Sequence, residues 1–434
     1  MAYTPNTWAD GAAGGTPITA AKLTAMETGI ADAHTITSAA TTTPRPALAL
    51  VYGSTFPSVL RPAATNAAAW AWVCDGTADQ AEINAAMTAI DGVGQGKVQL
   101  LGQRFNTTGP IEVRSECMLA GEGYGTEIRA ASGWNEGMVT LFGQSLAAGS
   151  DPGTHLTTVT DLSLNGNGQT VHGFHYRADN GQIFTTGVPS NPDPSHTIQR
   201  VHVYSCGSAT FAGHGMWMEG GNLRAGKYDT IRMLANRGCG VWVDGSVDSH
   251  YTNIEIGSSG SGGPAYSATA TAPVGHGFFV SQGDNNMFLN NKAWFSRGAG
   301  FYNRGTRNGY TNCQAQDNYS AGFHDIYGKT SFVGCHADSN GQANGADGRL
   351  RAGFYLSAGS TSVVGCLSYD KAESSSTAWE QWYGFQVTSG LTQSRIVGCV
   401  TYGNGLANAV ANASVNGTPG AGTTIDVAAD TNGR

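Results

Sequence analysis

The chain has 434 residues, of which 62 are glycine and only 12% are charged, with a net charge of −8 at pH 7. Glycine costs roughly 1 kcal/mol per interior helix position relative to alanine, which excludes a largely helical protein, and no Gly-X-Y period runs through the chain, which excludes collagen. A hydrophobic share of 40% is too high for a disordered chain, and 31 acidic against 23 basic side chains argue against a nucleic-acid partner.

No stretch of about 18 apolar residues is present, so no membrane insertion is expected. Met1-Ala2-Tyr3-Thr4-Pro5 offers neither the basic nor the apolar region of a secretion signal. Folding in the cytosol is the expectation. There the eight cysteines, which lack C-x2-C spacing, read as buried thiols, with no metal site and no cofactor.

Residues 1 to 35 form a segment of their own. Thr19 is placed to cap a helix in which Leu23, Met26 and Ile30 recur at i, i+3 and i+7. So short a helix is unstable alone, and its apolar stripe is expected to pack on copies of itself or on a larger assembly. Residues 36 to 46, with Thr41-Thr42-Thr43-Pro44-Arg45-Pro46, read as an extended linker. A cap is expected over 47 to 95. It contains an apolar run from Ala47 to Tyr52, an alanine-rich helix near Ser58 to Ala69, and a helix N-capped by Asp79 that buries Ile83, Met87 and Ile90. Strands from Lys97 to Leu101, Ile111 to Arg114 and Met118 to Ala120 follow, and the helix would seal the open end of the first coil.

Beyond this point a glycine followed by a large apolar residue keeps returning: Gly173-Phe174, Gly215-Met216, Gly240-Val241, Gly277-Phe278, Gly300-Phe301, Gly322-Phe323, Gly353-Phe354 and Gly384-Phe385. The shortest spacings are roughly 22 to 25 residues, and longer ones contain insertions such as 257–274 and 340–351. A fixed minimum period with variable loops marks a solenoid. About 22 residues accommodate three short strands and three turns, so the fold class is all-β, a right-handed parallel β-helix of ten to twelve coils over 96 to 410. Residues 411 to 434 are left as a C-terminal tail or cap. Counting back nine residues from the glycines reaches Leu164, Cys206, Ile231, Asn291 and Cys313, and Val-Gly-Cys triplets supply Cys335, Cys366 and Cys399. Stacked at the strand spacing, these would form an internal ladder of small core residues.

The stretch Cys74-Asp75-Gly76-Thr77-Ala78-Asp79, then Glu82-Ile83-Asn84-Ala85-Ala86 and Gly121-Glu122-Gly123-Tyr124-Gly125-Thr126, resembles the opening coils of pectate-lyase-like right-handed β-helix proteins, phage tailspikes among them. Separately, Tyr3-Thr4-Pro5-Asn6-Thr7-Trp8, Thr16-Pro17-Ile18-Thr19-Ala20 and Leu23-Thr24-Ala25-Met26-Glu27 are similar to the N-terminal module of phage minor tail proteins. The two resemblances cover about the first 130 residues. Alanine, glycine and threonine bias with only six lysines suits a phage of a high-GC host such as an actinobacterium. The resemblance implies a homotrimeric virion component assembled in the host cytoplasm. Its Trp8, Leu23, Met26 and Ile30 would attach to other tail-tip proteins, and its β-helix would contact host cell-envelope glycan, by binding it or by cutting it as a tailspike depolymerase.

If the residue after each repeat glycine points inward, the next points outward. Those positions are His175, Trp217, Trp242, Phe279, Tyr302, His324, Tyr355 and Gln386. Such a stripe should be covered or used: in a trimer interface, beneath inserted loops, or as a stacking platform for sugar rings. Glu219 and Asp244 both lie four residues after their glycine. Stacked on adjacent coils, they would stand about 5 Å apart, the separation of a retaining glycosidase pair. They could equally be charges stacked by the solenoid and neutralised by Arg224 and Lys227. Gly213-His214-Gly215 and Gly275-His276-Gly277 look like one fragment of the polygalacturonase signature. No Asn-Thr-Asp, Asp-Asp or Arg-Ile-Lys accompanies them, and a turn role is expected for both histidines. Asn303 and Asp325 fall at matching inward positions, suited to a shared hydrogen bond or a bend.

Overall fold

Each coil turns at three corners, and at most of them one residue takes the left-handed backbone conformation. The computed structural model describes residues 47–429 apart from 61, 63, 67–69, 143–155, 178–194, 220–223, 270, 344–349, 371–380, 389–390, 405–414 and 417–420. Trp8, Leu23, Met26 and Ile30 lie outside the described residues. One corner stacks Asp161, Arg200, Thr230, Asn253, Asn290, Asn312, Gly334, Gly365 and Gly398, with φ between 50° and 61°. Glycine, asparagine and aspartate enter this region at the least steric cost, which explains why glycine sits inside each Val-Gly-Cys triplet.

Between corners the chain runs as short strands, and every pairing of successive coils is parallel. One face is an eleven-stranded sheet with one strand per coil, from Ile111–Val113 to Val415–Asn416. The other two faces merge into a 21-stranded ladder. They merge because Thr158–Asn165, Thr197–Tyr204, Lys227–Leu234 and Arg395–Tyr402 run through the corner between them, whereas the coils between the last two break there into pairs such as His250–Thr252 and Glu255–Gly257. Parallel crossovers of this kind are right-handed, and the chain is a right-handed parallel β-helix.

Two aromatic columns fill the interior. Phe278, Phe301, Phe323, Phe354 and Phe385, each following a repeat glycine, stack with ring centroids 4.7–5.0 Å apart. Tyr228, Tyr251, Phe288, Tyr310 and Phe332 form the second column, which meets the first edge to face, as at Phe301 and Tyr310. On the later coils the third face contributes small inward residues, Ala293, Ala315 and Ala337, in the column that earlier carries Met233 and Ile256. There the repeat glycine has its physical reason: a Cβ on Gly300 would lie 2.9 Å from Ala315 Cβ, Asn318 Nδ2 and the Gly322 carbonyl.

Side chains at the corners tie successive coils together. Asn286 Oδ1 accepts the Ser249 N–H at 3.1 Å, and Asn318 Oδ1 accepts the Ser296 N–H at 3.0 Å. The cysteine ladder works in the same way. Asn291 Oδ1 accepts the Ile254 N–H at 2.8 Å, while Cys366 Sγ accepts the Cys335 N–H at 3.3 Å and Cys399 Sγ accepts the Cys366 N–H at 3.4 Å. Each group also donates backward: Asn291 Nδ2 to the Tyr251 carbonyl, and the Cys335 thiol to the Tyr310 carbonyl. Cysteine thus serves as a softer asparagine, and all the cysteines are free and buried.

Two members were misplaced by counting. Register puts Leu162 and Val201 next to Ile231 in this column, because the turns leading to Phe174 and Met216 are longer than the insertion-free turn from Leu234 to Val241. Cys206 stands instead at the asparagine corner, where its N–H donates to Asn236 Oδ1.

In the cap, helix α1 (Gln80–Asp91) buries Ile83, Ala86, Met87 and Ile90. Asp79 occupies the N-cap position without capping through its side chain. Its buried carboxylate accepts the Gly76 N–H at 2.8 Å and the Asn106 N–H at 2.7 Å, pinning the loop to the first coil. No α-helix forms near Ser58 to Ala69 among the described residues: a 3-10 turn covers Ser58–Leu60, and Asn66 bridges to Ala71. Pro62 would clash there with the Ser58 carbonyl and lacks the donor a helix needs. At the far end, Thr424–Ala429 still pairs in parallel with Arg395–Tyr402.

Candidate functional site

The eleven-stranded sheet places His175, Trp217, Trp242, Phe279, Tyr302, His324, Tyr355 and Gln386 side by side in one column, on the face opposite the phenylalanine stack. His175 stacks on Trp217 at 4.2 Å, and Trp217 on Trp242 at 4.7 Å with planes 3° apart. This column is not an open platform. Trp242, Phe279, Tyr302 and His324 are buried within the single chain, packed with Cys239, Ala299, Ala268 of the 257–274 insertion, and Ile326. Only Trp217, Tyr355 and Gln386 retain partial exposure. This packing removes the aromatic rings from water.

The histidines beside this column are ladder groups. His172 Nδ1 accepts the His214 N–H at 3.0 Å, His214 Nδ1 accepts the Cys239 N–H at 2.9 Å, and His276 Nδ1 accepts the Ala299 N–H at 3.2 Å. An accepting nitrogen must be unprotonated. Burial pushes His172 well below its ordinary pKa and His214 down to about 3. The two Gly-His-Gly sequences therefore carry neutral imidazoles that bond one coil to the next.

The column ends at a polar rim. Glu219 and Asp244 are register partners on adjacent coils, and Asp244 pairs onward with exposed Gln282. Glu219 Oε2 lies 3.1 Å from His175 Nε2. Asp244 Oδ1 accepts the Ser281 hydroxyl at 2.7 Å, and Ser281 Oγ in turn accepts the Trp242 indole N–H at 2.9 Å. Burial raises the Asp244 carboxyl pKa, and the nearby Glu219 charge adds to the shift. The Arg224 backbone bridges to Val247, and Lys227 opens a strand on a neighbouring face. On the following coils Arg304 donates to the Tyr327 hydroxyl at 3.0 Å, with Tyr327 51% exposed. The roles of His175 and Ser281 were not legible in the sequence, because they depend on which side chains meet across three coils.

Behind the rim, Asn303 Nδ2 donates to Asp325 Oδ1 at 2.9 Å, and Thr330 and Thr361 hydroxyls donate to the same buried carboxylate. This network is internal. Cys74, Asp79 and Glu82 also converge within 4.8 Å. Both Asp79 oxygens already accept backbone N–H groups, and burial pushes the Cys74 thiol up, away from the thiolate that a metal would need.

No protein-family model and no curated protein matches the sequence. Solved structures match in fold. The enzymatically active domain of bacteriophage CBA120 tailspike protein 2 aligns with a TM-score of 0.50 and 14% identity, over 73% of this chain and 44% of that one. The A-module of the Azotobacter vinelandii mannuronan C-5 epimerase AlgE4 aligns at 0.47 and 17%, over 87% and 100%. The Dettilon tailspike protein aligns at 0.48 and 12%, over 87% and 68%. At these identities the likeness is one of fold, the parallel β-helix shared by phage tailspikes and alginate epimerases.

Proposed function

We propose that this chain is a tailspike-like phage minor tail protein whose β-helix contacts glycan of the host cell envelope. The observation that carries the reading is the rim of Glu219, Asp244, Gln282, Arg304 and Tyr327. It joins the register partners Glu219, Asp244 and Gln282 with a guanidinium and an exposed ring on the coils that follow. Sugars are held by such hydrogen-bonding groups beside an aromatic face. In this reading Trp8, Leu23, Met26 and Ile30 attach the chain to other tail-tip proteins, the protein works as a homotrimer in the virion, and assembly takes place in the host cytoplasm. Binding of the purified protein to host cell envelopes tests it: Tyr327→Ala and Asp244→Asn should each weaken binding, and undiminished binding by both would overturn it.

A second reading, a depolymerase, is favoured by one feature. Glu219 and Asp244 are adjacent carboxylates in different environments, and the raised pKa of Asp244 suits a general acid. Strand spacing of about 4.8 Å agrees with the carboxylate separation of retaining glycosidases. Asp244 would protonate the leaving oxygen, and Glu219, oriented by His175, would act as nucleophile. Release of reducing ends from envelope polysaccharide that disappears in Glu219→Gln and Asp244→Asn would establish it.

A further inference from the structure

A cleft of about 550 Å³ opens at a different corner, where Thr158–Asn165, Thr197–Tyr204 and Lys227–Leu234 end in register. Its lining includes Asn165, Asn167, Tyr204, Ser205, Arg237 and Ser258. The cleft exists because the corner residues of these coils are small: left-handed Ser205, Ala235 and Ser258 stack there, with Gly257 beside them. On the next coil the same positions carry Trp294 and Phe295, and the Trp294 ring covers Gly257, where a Cβ would come within 2.7 Å of it. The indole nitrogen of Trp294 is buried without a hydrogen-bond partner.

The floor is locked from behind. Asn165 Nδ2 donates to Glu127 at 3.1 Å, the Tyr204 hydroxyl donates to the same carboxylate, and Arg129 donates to Asn167 Oδ1 at 2.8 Å. The groups facing the opening are uncommitted. Among the described residues, the hydroxyls of Ser205, Ser258 and Ser261 make no hydrogen bond, and Arg237 forms no ion pair, donating only from Nη1 to the Gly262 carbonyl. In a chain of net charge −8, this is a guanidinium without a carboxylate at the edge of a polar cleft of ligand size. Arginine binds carboxylates through paired N–H donors, and hydroxyls recognise other hydroxyls in either sense.

We infer that this cleft binds an acidic sugar unit, its carboxylate on Arg237 and its hydroxyls on Ser205, Ser258 and Ser261. The inference rests on the glycan-contacting reading and adds to it a charge requirement and a second site, at the opposite end of the sheet strands from Glu219 and Asp244.

Calorimetric titration of the full chain with a β-1,4-linked tetraglucuronate, against the neutral β-1,4-linked tetraglucose, is the test. The acidic probe should bind at least about tenfold more tightly than the neutral one, and Arg237→Gln should remove that preference. Arg237→Lys should restore part of it. Should Arg237→Gln fail to fold, Ser258→Ala, which removes one hydroxyl from the surface, should still weaken the acidic probe. Equal binding of the two probes, no binding of either, or a preference indifferent to Arg237→Gln overturns the inference. Envelope binding separates the two levels: if intact envelopes are still bound when the acidic probe is not, only the cleft assignment fails, and if envelopes are not bound either, the glycan reading fails with it.

Discussion

Mild acid should unfold the coils that carry the buried histidines. His172, His214 and His324 are almost fully buried, and burial holds His172 well below its ordinary pKa and His214 and His324 at about 3. The unfolded chain takes up these protons near pH 6.5, while the folded chain refuses them until the depressed values are reached. The associated stability is therefore intact above pH 6.5 and is lost as the pH falls below it, at about 1.4 kcal/mol per pH unit for each histidine. At pH 5 each has forfeited about 2 kcal/mol, and the three together about 6 kcal/mol, as much as the whole stability of many domains. Asp325 and Asp79 act in the opposite sense, since burial raises their carboxyl pKa values and a falling pH relieves them rather than penalising them. The geometric cause is direct for His172 and His214: each Nδ1 accepts a backbone N–H from the next coil, and a protonated ring would set two donors face to face. Thermal melts at intervals from pH 7.5 to 5, followed by circular dichroism, should show the midpoint falling steeply below pH 6.5. His214→Asn, which keeps an acceptor and removes the titration, should make the fall shallower by about a third. A midpoint that is flat from pH 7 to 5, or an unchanged slope in the variant, would refute the reasoning.

Gly300→Ala should destabilise by about 2 kcal/mol or more in denaturant unfolding, because the new Cβ meets Ala315, Asn318 and the Gly322 carbonyl at 2.9 Å with no room to shift. Trp242→Ala should cost about 3–5 kcal/mol by leaving a cavity beneath the 257–274 insertion, and should act on the melting temperature before it acts on glycan binding. Cys366→Ser, which keeps a donor and an acceptor, should be tolerated better than Cys366→Val, which leaves the Cys335 N–H and the Phe332 carbonyl without their sulfur partner. Thiol titration should find Cys335, Cys366 and Cys399 unreactive until the chain unfolds.

Local chemistry made the solenoid readable. A glycine before each inward phenylalanine and a Val-Gly-Cys triplet at one corner report steric demands that recur once per coil, and such demands leave the same residue types at the same spacing. For the same reason α1 and its buried face could be read from apolar periodicity, and the outward column from simple alternation. Counting failed at Leu164 and Cys206, where loop length changes the offset without leaving a mark, and the helix near Ser58 failed on one proline. What surrounds each outward residue was decided only in three dimensions. Trp242 and Phe279 are buried in a cluster against which Ala268 of the 257–274 insertion packs, the His175–Glu219 contact and the Ser281 link to Asp244 span separate coils, and the Arg237 cleft exists because three successive corners happen to carry small side chains. Periodicity along the chain encodes what each coil repeats, whereas a site is made of what neighbouring coils do differently, and that emerges only when they are stacked.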